Sequence, residues 1–257
     1  MTEIFRRLPE QQHQALLTAA RRPDHLIPGT EDGHVPKSMM SNKRTLVALY
    51  RAGFGAERPS AYYDRTWKYD EDSAASLWLT PAGRAYARQF GVPCQRRKVV
   101  AIQCGDKKAQ PSWERYHYRD VVPAGQLYIG PYHRSLRLAA SALTNPYLTW
   151  IMSAWYGLVP LSRPLGRYDV KLGDPKSVTP EKMRRHTASL HLSDADVIFL
   201  GGKKYADLFR DSVPHAATPL VGDLLAQRSQ CAAVRRNPDL VRQWWEAAAE
   251  LSRSRAG

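Results

Sequence analysis

The second half of the chain alternates short, unbroken apolar runs with stretches of helical periodicity. Val99-Val-Ala-Ile-Gln103, Tyr147-Leu-Thr-Trp-Ile-Met152 and Asp196-Val-Ile-Phe-Leu200 are rich in β-branched and aromatic residues, the pattern of strands buried on both faces. Between and after them, Leu136, Leu138, Ala139, Ala142 and Leu143 line one side of a helix over 135–143. Thr179, followed by Pro180 and Glu181, has the composition of a helix start. A further helix begins over Tyr205–Arg210, and Arg235–Ser252, carrying Leu240, Val241, Trp244 and Trp245, predicts a single closing helix. Strands separated by helices predict an α/β fold, a mostly parallel sheet flanked by helices, with ligands held beyond the C-terminal ends of the strands. The apolar run from Ile151 to Val159 breaks at Tyr156-Gly157, which reads as a buried strand ending at such an edge.

The pattern of the first part is different. Pro9–Ala20 predicts a helix with Leu16, Leu17 and Ala20 on one side. A second is predicted over Ser38–Ala52, with Ser38 as N-cap, Leu46, Val47, Leu49 and Tyr50 on its apolar face, and Gly53 and Gly55 ending it. Residues 59–75 read as a loop or irregular hairpin. Ser76–Leu79 is strand-like, and Thr80-Pro81 caps and opens a third helix. The stretch Gly91-Val-Pro-Cys-Gln-Arg-Arg-Lys98 marks the joint, so the domains expected are residues 1–92 and 98–257.

Composition narrows the class. The hydrophobic fraction of 43% suffices for packed cores. No apolar run reaches the length of a membrane span, so no membrane partner is expected. The N-terminal residues lack an apolar core before a small-residue cleavage site, so the expected location is cytoplasmic. Cys94, Cys104 and Cys231 have no metal-ligand spacing, so neither a metal nor another cofactor is expected. The net charge of +14 is unevenly spread: residues 1–95 hold 13 Lys/Arg against 10 Asp/Glu, the other 162 hold 25 against 14. A positive field of that size favours a polyanion as partner, and DNA is the partner expected.

The candidate chemistry lies where the predicted strands end. The first runs into Cys104-Gly-Asp-Lys-Lys108, the second into Ser153-Ala-Trp-Tyr-Gly157, the third into Gly201-Gly-Lys-Lys-Tyr205. Gly201 and Gly202 before a helix, with Lys203, form a place for an anion, the alternative being an ordinary tight turn. Lys107 and Lys108 are candidates for a phosphate. Asp169 is the candidate carboxylate for an oxocarbenium-like sugar or its attacking water, the alternative being a capping turn. Tyr156 and Tyr168 are placed to stack on an extruded base. Cys104 qualifies as a nucleophile if the nearby lysines lower its thiol pKa, and otherwise as a small buried apolar group. Ser153 lacks the flanking glycines of a nucleophile elbow. His133 is within reach of the same edge in sequence terms. Arg184 and Arg185 are surface candidates for nucleic-acid contact.

Two resemblances bear on these residues. The succession Leu46-Val-Ala-Leu-Tyr-Arg-Ala-Gly-Phe54 and Leu77-Trp-Leu-Thr-Pro-Ala-Gly-Arg84 resembles winged-helix domains, which implies a smaller N-terminal winged-helix-like domain with Lys37, Lys43, Arg44 and Arg51 toward DNA. The spacing of Cys104-Gly-x-x-Lys108, Pro123-Ala-x-x-Leu-Tyr128, Ser153-Ala-x-Tyr-Gly-Leu158, Tyr168-Asp-Val-Lys-Leu172 and Leu200-Gly-Gly-x-x-Tyr205 resembles a family of bacterial and phage domains. That family is related at a distance to YaaA-type peroxide-stress DNA-binding proteins, with a fainter likeness to 7-deazaguanine-modifying and uracil-DNA-glycosylase-like folds. The resemblance implies nucleic-acid association and chemistry on a nucleobase. The resulting expectation is a DNA-binding enzyme of the N-glycosidase, glycosylase or transglycosylase type. The alternatives are a non-enzymatic DNA-binding regulator or stress-protection protein, and an enzyme acting on free nucleosides. The closing helix is available for a homodimer.

Overall fold

A computed structural model describes residues 4–23, 25–27, 41–57, 77–109 and 121–254. The chain divides into two compact units, Met1–Arg97 and Lys98–Gly257.

In the first unit, helix α1 spans Glu10–Arg21 and buries Leu16, Leu17, Ala19 and Ala20. Helix α2 spans Lys43–Arg51, and its N-cap is Asn42, whose side chain accepts the Thr45 N–H at 2.9 Å. The expected cap Ser38 and the loop over 59–75 lie outside the described residues. Asn42 supplies the same short side-chain acceptor in extended backbone that Ser38 was expected to supply. Helix α3 spans Pro81–Gln89, with Thr80 as cap and Pro81 in its first turn. Strands β1 (Leu26–Ile27), β2 (Gly55–Glu57) and β3 (Leu77–Leu79) form an antiparallel sheet in the order β1-β3-β2. Gly55 is therefore part of a strand, and Gly53, at φ +74°, makes the turn after α2. The core is centred on Tyr86, with Phe5, Phe54 and Phe90 packed edgewise or tilted around its ring.

The second unit is built on a four-stranded sheet in the order β7-β6-β4-β9. Its strands are β4 (Arg97–Gln103), β6 (Thr149–Ser153), β7 (Gly157–Pro160) and β9 (Ala195–Leu200). β4 and β6 are parallel, with Val100 opposite Thr149 and Gln103 opposite Met152. The sheet is mixed, however, because β7 folds back antiparallel on β6. The break at Tyr156-Gly157 is thus a hairpin turn and not a free strand end. Gly157, at φ +78°, reverses the chain in a conformation that L side chains rarely adopt. A separate ribbon pairs β5 (Val121–Pro123) with β8 (Pro164–Gly166).

The helices of this unit are α4 (Ala124–Leu127), α5 (Pro131–Leu143), α6 (Pro180–Ser189), α7 (Lys203–Ser212), α8 (Leu224–Arg236) and α9 (Pro238–Ser254). The expected single helix over 235–252 is really the end of α8 and the body of α9. Asn237 precedes a proline and takes extended backbone, φ −124° and ψ 102°, as the Pro238 ring demands of its neighbour. α5 packs against α8, and α9 against β9. Trp245 is buried there and its indole N–H donates to Leu143 O at 3.0 Å. No helix among the described residues is long and apolar enough to cross a membrane.

Candidate functional site

From β4 the chain passes to β6 on one side and later to β9 on the other. Connections that leave a central strand in opposite directions favour a ligand site beyond the strand ends, and here that switch falls between β4 and β9. The sequence has shaped that spot for close approach. Gly202 N–H donates to Gln103 Oε1 at 2.8 Å. A Cβ on Gly201 would stand 2.7 Å from Phe199 Cε1 and 2.8 Å from Gln103 Cβ, too near for any larger residue. Cys104, the first residue past β4, is buried, and its Sγ lies 3.3 Å from the hydroxyl of Tyr205 in the first turn of α7.

The β6–β7 turn contributes next. Ser153 Oγ accepts the backbone N–H groups of Trp155 at 3.2 Å and Tyr156 at 3.0 Å, which fixes the turn. Its own hydrogen is donated to Tyr168 Oη at 2.9 Å, and Tyr168 Oη lies 2.9 Å from Tyr128 Oη. The Tyr156 hydroxyl donates to Gly166 O, and its ring meets that of Tyr168 edge-on at 5.4 Å. Lys108 Nζ sits 4.3 Å above the Tyr168 ring, a cation–π arrangement. Burial is the main reason the hydroxyls of Tyr128, Tyr168 and Tyr205 titrate above the usual tyrosine range, with the neighbouring Cys104 adding to it. All three are therefore neutral donors at physiological pH.

His133 completes the cluster. Its ring centroid is 5.1 Å from that of Tyr128, and its Nδ1 is 2.8 Å from Gln103 O. A carbonyl only accepts, so Nδ1 carries the ring hydrogen. Nε2 is left as an acceptor, fully buried and with no hydrogen-bond partner among the described residues. Burial lowers the imidazole pKa to about 4, against a smaller opposing effect of the Gln103 bond. The ring is neutral at physiological pH.

The structure therefore gathers Cys104, Lys108, Ser153, Tyr156, Tyr168, Gly201, Gly202 and Tyr205 at one sheet edge. Lys107 is exposed beside them, and its carbonyl accepts from Ile129 N–H at 2.9 Å. Lys203 is exposed and paired with Asp207 at 3.0 Å. Asp169, next to Tyr168 in sequence, is exposed. Arg184 and Arg185 are exposed on α6, Arg184 pairing with Glu181 at 3.0 Å. Lys43 and Arg44 lie on α2 of the first unit, and Lys37 lies outside the described residues. Tyr128 had entered the sequence reading only as part of a spacing pattern, and His133 only as a residue in reach. Their shared signal was the compact run Tyr128-Ile-Gly-Pro-Tyr-His133, a hydroxyl and an imidazole on either side of a helix start.

Fold and site together define an α/β protein with a neutral, tyrosine-lined site at the C-terminal edge of its sheet. The chain belongs to DUF6884, a family of unknown function whose model matches residues 99–233. That range holds every residue of the cluster. No curated protein and no solved structure matches the chain.

Proposed function

We propose that the chain is a DNA-binding enzyme that acts on a nucleobase, breaking or exchanging an N-glycosidic bond. The observation that carries this reading is the cluster of Tyr128, Tyr156, Tyr168 and Tyr205 around Ser153 and Cys104. Its interior offers aromatic faces and neutral hydroxyls, while Lys107, Lys108 and Lys203 bring positive charge nearby. A base is flat, polar and uncharged, and its phosphate is anionic, so the two parts of a nucleotide match the two parts of the site. A base within a duplex must be extruded to reach such a cluster. Asp169, exposed beside Tyr168, is the candidate carboxylate for the positive charge that develops on the sugar.

The three helices and three-stranded antiparallel sheet described in the first unit support a winged-helix reading, in which Lys43 and Arg44 on α2 contact DNA. The test is incubation of the protein with genomic, modified and phage DNA, followed by mass spectrometry of released bases and digested nucleosides. Release or exchange of a base is expected, and Asp169→Asn should slow it while leaving DNA binding intact. DNA that is bound but chemically unchanged in every case would replace this reading with that of a non-enzymatic regulator or protective binder.

A further inference from the structure

The hydrogen bonds of the cluster are fixed in direction at Ser153. Both acceptor positions of Ser153 Oγ are taken by the N–H groups of Trp155 and Tyr156, so its hydrogen is committed to Tyr168. Tyr168 Oη accepts from Ser153 and shares one hydrogen bond with Tyr128 Oη, in which either hydroxyl can be the donor. That shared bond uses one of the two phenolic hydrogens, so the other, on Tyr168 or Tyr128, is not taken up by it. Against the same tyrosine ring stands His133, with Nδ1–H tied to the Gln103 carbonyl and the Nε2 lone pair unused. A buried acceptor without a partner destabilises the fold relative to a satisfied one. Among the described residues, the cluster thus holds a phenolic hydrogen left over from the tyrosine pair and, on the imidazole packed against the Tyr128 ring, an acceptor without a partner.

We propose that Tyr128 and His133 are the donor–acceptor pair of the glycosidic step. This rests on the nucleobase reading above and assigns its proton traffic to residues other than Asp169. His133 Nε2 takes a proton from the attacking water, whose oxygen bonds to the sugar carbon. The carbon–nitrogen bond breaks with its electron pair on the base. The Tyr128 O–H hydrogen-bonds that developing negative charge without giving up its proton. The departing base then carries away the proton held by His133, so that one water is added in total and both residues return to their starting state. The Gln103 carbonyl acts as the orienting group for the imidazole, as a third group does for the base of other acid–base sites.

The test has two arms. In the first, base release from the DNA panel is measured for the unaltered protein and for His133→Gln and Tyr128→Phe. Loss of a positioned base or donor is expected to lower kcat by roughly 10²-fold or more with little change in KM. If the unaltered protein releases no base from any DNA, the glycosidic reading falls and this pair with it. If it does release base and both variants match it in kcat, the pair alone falls. The second arm is independent of turnover and of variant folding: ¹⁵N-histidine NMR of the unaltered protein identifies the His133 tautomer. An unprotonated Nε2 whose shift changes on adding single-stranded DNA is expected. A protonated Nε2, or a resonance unmoved at saturating DNA, would overturn the assignment.

Discussion

Each unit of this protein carries a buried tyrosine hydroxyl beside a histidine, and the two are used in opposite ways. In the first unit, Tyr86 Oη accepts the Leu8 N–H at 3.0 Å and shares a 2.8 Å hydrogen bond with His13 Nδ1, so the hydroxyl is fully engaged. The neighbouring clamp of Gln89 on both polar groups of Phe5 fastens the same N-terminal segment. In the second unit, the bond between Tyr168 and Tyr128 uses one of their two phenolic hydrogens, and His133 Nε2 has no partner among the described residues. The closed arrangement ties a chain segment to a core. The open one retains polar capacity in a dry place, at a cost in stability, which fits the ligand site proposed above.

The comparison can be broken most forcefully through pH. His133 has a folded-state pKa of about 4, against about 6.5 for an unhindered imidazole. Between those values the unfolded chain binds a proton that the folded one refuses. Stability is therefore full above pH 6.5 and declines as the pH falls toward 4. The loss over that window is roughly 3 kcal/mol. Denaturant midpoints for the unaltered protein and His133→Gln across pH 4–7 measure it. An identical slope in both would remove His133 as its source.

A smaller effect separates the two tyrosines. Tyr86→Phe strips a buried N–H and an imidazole of their partner and should cost about 1–3 kcal/mol. Tyr128→Phe removes a hydroxyl bonded to Tyr168 and should cost on the order of 1 kcal/mol. Chemical denaturation of the two variants gives the ranking; the reverse order would mean that Tyr128, not Tyr86, is the structural hydroxyl. Smallest in free energy is the contribution of the exposed α6 pair. If Arg184 and Arg185 meet DNA phosphates, Arg184→Glu with Arg185→Glu should lower the magnitude of the salt slope of DNA binding by up to about 2. Filter binding at several salt concentrations reads this, and an unaltered slope would move the DNA contact to another face.

Much of the second unit was legible because its strands declare themselves. Runs such as Val99–Ile102 and Val197–Leu200 have no polar side to confuse with a helix, and Thr179, like Thr80 in the first unit, is a helix cap by local chemistry alone. What escaped depended on one backbone torsion or on tertiary company. The Tyr156-Gly157 break was visible, but its meaning as a hairpin rested on the positive φ of Gly157 and on the grip of Ser153 on the turn. The helix expected over 235–252 hid a boundary at Asn237-Pro238, because apolar spacing continues across it. At the site, residue types at the strand ends pointed to Cys104, Ser153, Tyr168 and Tyr205. That Tyr168 and Tyr128, 40 residues apart in sequence, share a hydrogen bond is a fact of topology, and so is the burial of His133.

Ser153 has two duties in one oxygen: it staples the β6–β7 turn and starts the hydroxyl row. The turn also requires Gly157, where any Cβ would lie 2.9 Å from the His186 ring in a backbone conformation hostile to side chains. Positions 153, 157 and 168 are consequently not independent units of inheritance. A descendant that loses the serine loses the turn's anchor together with the tyrosine's proton source, and no single later substitution restores both. Divergence within the family should therefore pass around these three positions as a block, sparing all of them or abandoning all of them together.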